Sequence, residues 1–178
     1  MKLEEFLTWE ERQEARFEFV DGVPRMMVGG TQAHDRISGN IFYALRSALR
    51  GSRCRATTSD LKVVIPNGNV RYPDVMVDCG PFQPQEARAG EPTVIVEVIS
   101  KSTAYYDQHQ KMAEYLAIDS VQHYLLVWQD RPKAEMWSRR DRQWVHDIFD
   151  GLDATIGLSA VGIALEMREM YEGIEFDD

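Results

Sequence analysis

The sequence predicts a mixed α/β (α+β) fold, a β-sheet flanked by helices and preceded by an N-terminal helix and a β-hairpin. Three observations carry this. Apolar residues recur at helical spacing in three separated stretches, 3–9, 31–50 and 102–118. Between and after them lie short runs that alternate apolar and polar residues, as half-buried strands do. One run, TVIVEVIS at 93–100, is apolar and β-branched on both faces, the pattern of a central strand covered on two sides.

The bulk numbers set the frame. A chain of 178 residues with 44% hydrophobic and 28% charged residues is expected to form one domain, 1–178, with a substantial core. It has no apolar run of the roughly 18 residues that a membrane span needs. The N-terminal MKLEEFLTWEERQEARF is acidic and amphipathic, unlike an export signal, so the expected location is cytoplasmic. Cys54 and Cys79 have no CxxC spacing and are expected to be two reduced thiols. The net charge of -9 counts against a general nucleic-acid coat, because non-specific affinity comes from Lys and Arg on phosphates. It leaves room for a nuclease, whose metal-binding carboxylates add negative charge to the bare chain. Two local basic runs, at 46–55 and 139–142, read first as solvated faces or turns.

Leu3, Phe6 and Leu7 mark a short first helix. RFEFVDGVPRMMV follows, with Asp21-Gly22 as a two-residue hairpin turn; Phe17 and Phe19 share one face and Glu18 the other. Over 31–50 the stripe His34, Ile37, Ile41, Leu45 and Ala48 gives an amphipathic helix ended by Gly51. His34, at the start of that stripe, reads first as a packed or capping residue. TSDLKVVIP alternates and is expected to be one strand, closed by Pro66-Asn67-Gly68. RYPDVMVDC is expected to be the next, with Val75 and Val77 on one side and Tyr72, Asp74 and Met76 on the other. The Pro/Gly-rich 80–92 is a loop. After TVIVEVIS comes a helix over 102–118, with Ser102 or Thr103 as N-cap and Tyr105, Met112 and Leu116 on its apolar side. QHYLLVWQD is a strand, KAEMWS and QWVHDIF form a hairpin around RRDR, and a short helix is expected around 166–171.

The chemistry concentrates in 71–111. Glu97 interrupts an apolar strand. An unpaired carboxylate there costs several kcal/mol, so it must be neutralised, paired or metal-bound, unless the strand ends at the sheet rim. Asp74, on a neighbouring strand, is its natural partner. Two hard oxygen donors at close range suit Mg²⁺ or Mn²⁺, which keep several waters and accept phosphate oxygens. Mutual repulsion should raise the pair's apparent pKa without metal.

These residues carry a resemblance. Pro73-Asp74 followed by Glu97 on the next strand resembles the PD-(D/E)xK nuclease superfamily. The ordered set EEFLTWEE, RFEFVDGVP, AHDRISGNIFYALRSAL, TSDLKVVI, RYPDVMV, VIVEVIS, STAYYDQHQKMAEYLAI and MREMYEGIEF resembles the Uma family of restriction-endonuclease-like proteins over nearly the whole chain. The resemblance implies a restriction-endonuclease-like core and a metal-dependent endonuclease acting on DNA. It implies metal ligation by Asp74 and Glu97, with the backbone carbonyl of Val98 and the early Glu18 as further ligands, and weaker correspondences at His34 and Asp60. The superfamily's E-x-K lysine position holds Ile99 here, and Lys101 falls past the expected strand end. The lysine the resemblance implies is Lys111, on the following helix; an ordinary Asp107–Lys111 i,i+4 pair is the alternative.

Asp74, Glu97 and Lys111 are therefore the expected catalytic residues, with Mg²⁺ or Mn²⁺ as cofactor, DNA as substrate and a homodimer by analogy with double-strand nucleases. Two other readings stay open. One is a catalytically weak or inactive nuclease-fold module that binds nucleic acid or protein. The other is cleavage of RNA or of a special DNA structure.

Overall fold

A computed structural model describes residues 1–100 and 106–176, with backbone alone at 106–108. In chain order the elements are α1 (Leu3–Glu10), β1 (Phe17–Val20), β2 (Val23–Met26), α2 (Gln32–Ala48), β3 (Arg55–Thr58), β4 (Val63–Val64), β5 (Val70–Arg71), β6 (Val75–Asp78) and β7 (Pro92–Ile99). They continue with α3 (Tyr106–Leu116), β8 (His123–Trp128), β9 (Lys133–Arg140), β10 (Gln143–Asp150), β11 (Thr155–Leu158), β12 (Ile163–Glu166) and α4 (Met167–Met170).

The main sheet has six strands in the order β10-β9-β8-β7-β6-β3. Only the β7–β8 pair is parallel, and α3 lies between those two strands in sequence. All eight residues of β7 are buried, as its apolar composition requires. On one face Val94, Val96 and Val98 pack with Val75, Val77 and the buried stripe Ile37, Ile41 and Leu45 of α2. On the other, Ile95, Ile99 and Met76 pack with Tyr115, Tyr124 and, from α3, Met112 and Leu116. A second sheet, β2-β1-β5-β4, covers α1 through Phe6, Phe19, Val70 and Tyr72. Asp21 and Gly22 both take positive φ, as the expected hairpin turn demands. Glu10, buried at the end of α1, accepts hydrogen bonds from Lys62 and Tyr72 and so anchors the helix to the second sheet.

Two expected strands are each divided. TSDLKVVIP yields the last residue of β3, a turn in which Leu61 N–H donates to the Thr58 carbonyl, and then β4 in the other sheet. The alternation was sound, since Leu61, Val63 and Ile65 share one cluster, but Lys62 leaves the ladder to meet Glu10. RYPDVMVDC likewise breaks at Pro73, which has no N–H for a ladder. Residues before the break belong to the second sheet and those after it to the main sheet. Asp74 therefore stands where the chain crosses between sheets. The β11–β12 hairpin lies in a stretch the sequence reading left without strands, while α4 falls where expected. The proposed N-caps Ser102 and Thr103, Lys101 and Tyr105 lie outside the described residues, as does the side chain of Asp107.

The expectation of two reduced cysteines is corrected. Cys54 and Cys79 form a disulfide. Antiparallel pairing of Arg55 with Asp78 sets them opposite each other one residue beyond the ladder, a contact invisible in their separation of 25 residues. Closing a loop of that size stabilises by about 3 kcal/mol in the chain-entropy picture. Unfolded, unreduced protein should react with no thiol reagent, and reduced protein at two sites. Reduction should lower the melting temperature by roughly 6–12 °C for a chain of this size.

His123, the first residue of β8, is buried and bonded on both ring nitrogens. Nε2 faces the Ala160 N–H at 3.2 Å and Nδ1 faces Ser138 Oγ at 3.1 Å. A backbone N–H can only donate, so Nε2 must be unprotonated. Burial pushes the His123 pKa down, and Arg140 adds to this. The unfolded chain then binds more protons below the ordinary value of 6.5, so this residue's contribution to stability is whole above that pH and is lost as pH falls. Urea denaturation at pH 7.5 and pH 5.5 should show a smaller loss on acidification for His123→Gln than for wild type.

Candidate active site

The register of the main sheet brings the two acids together. Val75 pairs with Val96. One residue back along β6 and one forward along β7, Asp74 and Glu97 face each other where the strands part. Asp74 has the parity of Met76, and Glu97 that of Ile95 and Ile99, so both carboxylates emerge on the α3 side of the sheet. They line a cleft of about 430 Å³ together with Glu18, His34, Val98 and Lys111.

Each carboxylate is held by named donors. Asp74 Oδ2 accepts the Val98 N–H at 2.8 Å and lies 3.1 Å from His34 Nε2. Glu97 Oε1 accepts the Tyr115 hydroxyl at 2.9 Å and lies 3.5 Å from Lys111 Nζ. Lys111 also lies 3.1 Å from Glu18 Oε1, so its ammonium bridges two acids. Glu18 Oε2 accepts from Arg71 Nη1 at 2.8 Å, and Arg71 Nε donates to Glu114 Oε2 at 2.7 Å. Asn69 and Gln110 complete the shell of Glu114 Oε1. Charges thus alternate from Glu97 through Lys111, Glu18 and Arg71 to Glu114.

Burial pushes the Glu97 carboxyl up to about 7, with Asp74 and Glu18 adding and Lys111 and Tyr115 opposing. Desolvation thus outweighs the carboxylate repulsion on which the sequence reading relied. Burial alone would push the Lys111 ammonium down; Glu97 and Glu18 outweigh it and hold its pKa above the ordinary value. The lysine stays charged, poised beside a carboxyl that changes state near neutral pH. His34 is raised by its hydrogen bond to Asp74 against the effect of burial.

Of the expected site residues, Glu18, Asp74, Glu97, Val98 and Lys111 all line the cleft. Val98 contributes its N–H to Asp74, a role the sequence reading did not assign to it. Ile99 is buried in the core, as its position on the Glu97 side required. His34, read first as a packing or capping residue, points its ring at Asp74. Gly30 makes room for that ring, since a Cβ there would sit 2.8 Å from Nδ1. Asp60 is exposed, pairs with Arg16 at 2.7 Å, and does not line the cleft. Sequence reasoning missed Tyr115, Arg71 and Glu114. Tyr115 had a signal, for it stands four residues after Lys111 and so on the same helix face.

The comparisons place the chain. Residues 3–168 match the model of the Uma2 family, described as "Putative restriction endonuclease". The chain belongs to the Uma2 family. It is 32% identical over 176 residues to the uncharacterized protein slr1290 of Synechocystis sp., covering 97% of this chain and 92% of that one. It is 30% identical over 164 residues to a second uncharacterized protein of that organism, sll1609, covering 89% and 93%. Its fold is similar to the crystal structure of a "putative nuclease belonging to DUF820" from Anabaena variabilis, with a TM-score of 0.75 at 17% identity, across 96% of this chain and 97% of that one. The Uma2 fold is thus the nuclease-like mixed sheet flanked by helices that the sequence predicts.

Arg71 is 3% exposed and bonded to two carboxylates. Removing one partner from a buried charge cluster costs about 3–5 kcal/mol. Arg71→Met should therefore lower the urea midpoint sharply. The double variant Arg71→Met/Glu114→Gln, which leaves Glu18 paired with Lys111, should recover most of the loss. A double no more stable than the single would show that packing, rather than charge, sets the cost.

Proposed function

We propose that this protein is a metal-dependent endonuclease that hydrolyses DNA phosphodiester bonds, with Asp74 and Glu97 holding Mg²⁺ or Mn²⁺. The observation that carries the reading is Lys111. It reaches Glu97 from α3, on the side of the sheet where Ile99 occupies the strand position of an E-x-K lysine.

The donor chemistry fits the ion. Asp74 and Glu97 offer hard oxygens to one cleft, and Glu97 is a buried carboxylate whose ionised form needs a positive partner. Among the described residues no three His, Cys, Asp or Glu side chains gather into a metal cage. Mg²⁺ does not need one, since it binds through one or two carboxylates and fills its remaining positions with water and substrate phosphate oxygens. When bound, such an ion activates water and offsets charge on the phosphodiester. The Val98 N–H and His34 fix Asp74, and the Val98 carbonyl is a further oxygen donor in this reading. Lys111, charged and held by two acids, steadies the scissile phosphate or the attacking water. Glu18 has both oxygens engaged by cations, so its part is to hold Lys111 rather than to ligate the ion.

That same engagement favours the second reading, a nuclease-fold module without catalysis. One experiment separates the two. Purified protein is incubated with plasmid, single-stranded DNA and RNA in Mg²⁺ or Mn²⁺. Under the enzyme reading Asp74→Asn and Glu97→Gln abolish cleavage, and Lys111→Met lowers it by about 10²–10³, the usual cost of losing one charge-stabilising donor. Wild type and Asp74→Ala that are equally inert, or equally active, would sink it.

A further inference from the structure

The exposed face of α2 and the cavity at its end are rich in arginine. Residues 36–59 contain five arginines and no carboxylate, so this stretch carries +5 in a chain whose net charge is -9. Arg36, Tyr43, Arg46 and Arg50 recur at spacings of seven, three and four, which puts them on one face of the helix line. All four are exposed, Tyr43 at 72%. The opposite face, Ile37, Ile41 and Leu45, is fully buried, so the arginine face points away from the sheet.

A solvated helix face normally mixes both signs; along α2 the one acid is Asp35, in the first turn, and the rest of the face carries arginine alone. Arg46 and Arg50 take part in no ion pair among the described residues; Arg46 lies over the Phe42 ring at 5.9 Å. Beyond the end of α2 lies a cavity of about 1010 Å³, lined by Arg46, Arg50, Arg55, Arg88 and Phe82. Its acids are already engaged. Asp78 lies 3.7 Å from Arg55 and accepts the Gly80, Gly90 and Glu91 N–H groups, while Glu86 lies 3.3 Å from Arg88. Phe82 is 71% exposed, with the Arg55 guanidinium 5.3 Å over its ring. Exposed aromatics among arginines can stack bases while the guanidinium groups hold phosphates. The chain after α4 lies against α2 at Asn40, one turn on from Arg36, where the Asn40 amide donates to the Met170 and Glu172 carbonyls.

We propose that the outer face of α2 and the arginine-lined cavity at its C-terminal end form a nucleic-acid backbone-binding track. The helix of 17 residues is about 25 Å long, the axial rise of roughly seven base pairs. It starts at His34 in the candidate active site and ends at the cavity. The geometry specifies a polyanion; that the polyanion is nucleic acid rests on the proposed nuclease function.

The test is binding without cleavage. Fluorescence anisotropy with a labelled 30-base-pair duplex, and with one of its strands alone, is measured in EDTA across a salt series. The probes are wild type, Arg36→Gln/Arg46→Gln/Arg50→Gln, and a control of equal charge, Arg12→Gln/Arg142→Gln/Arg168→Gln, on other elements. The track variant should bind at least about tenfold more weakly, with the slope of log affinity against log salt reduced by about 2–3. The control should stay within about twofold of wild type. Tyr43→Ala and Phe82→Ala should weaken the single strand more than the duplex. Equal binding by wild type and the track variant, equal losses in track variant and control, or no salt-dependent binding by wild type would overturn the proposal. Because the assay needs no metal, arginine-dependent binding by a protein that cuts nothing would support the track while failing the catalytic reading. A protein that cuts, but binds and cuts equally well without the track arginines, would do the reverse.

Discussion

The fold is arranged around a carboxylate that its own strand cannot solvate. Glu97 sits in β7, a strand buried along its whole length, and burial lifts its pKa from 4.5 to about 7. Burial thereby disfavours its ionised form, even with Lys111 and Tyr115 opposing the shift. An apolar residue there would remove that cost. The surroundings instead supply Tyr115 and Lys111, the second of which needs its own counter-charges. Glu18 meets that need, Arg71 meets Glu18's, and Glu114 meets Arg71's. One buried acid in a central strand thus dictates the polar contents of β1, β5 and α3, three elements from different parts of the chain.

What was legible in the sequence follows from what is local. Within β6, period-two alternation correctly separated Met76 from Val75 and Val77, and within β7 it put Ile99 on the side of Glu97, whereas Tyr72, expected beside Asp74 and Met76, packs with α1 across the break at Pro73. The Asp21-Gly22 turn and the stripe of α2 were equally plain, because each depends on neighbours within a few residues. Contacts that depend on register or on a change of sheet were not. Cys54 and Cys79 meet only because β3 pairs with β6 in one register. The break at Pro73 was written in the sequence as a residue without an N–H, yet its consequence, a transfer between sheets, is tertiary. His34 shares a helix stripe with core residues, and only the position of β6 shows that its ring ends at an aspartate. The Arg71–Glu114 pair spans 43 residues and leaves no trace in either local pattern.

Net charge also reads differently once the residues are placed. The value of -9 is an average over two unlike populations. Four acids, Glu10, Asp78, Glu97 and Glu114, are buried and held by named partners, while most of the others are exposed. Pairs such as Glu10–Lys62 and Glu114–Arg71 are neutral together and leave the -9 with the remaining groups, so the local field is decided by how those are distributed over the surface. The arginines of α2 and β3 are mostly exposed and concentrated on one side. A formally acidic chain can thus present a basic surface, and the objection that total charge raised against nucleic-acid contact weakens accordingly.

In the proposed nuclease reading, a lysine supplied by a helix instead of the strand changes what the site depends on. In an E-x-K strand, the two-residue repeat of that strand sets the separation of glutamate and lysine, and it survives small shifts of anything packed above. Here that position is Ile99, spent on the core, and the ammonium comes from α3. Its placement relative to Glu97 is set by how the helix sits on the sheet, which Met112, Tyr115 and Leu116 determine by packing against Ile95, Ile99 and Tyr124. Tyr115 links the two roles, since its ring is fully buried in that packing while its hydroxyl donates to Glu97. The core that docks α3 is therefore also what brings Lys111 to the acids. Ile99 supports the site indirectly: by filling the floor under the helix it helps place the lysine that the strand itself lacks.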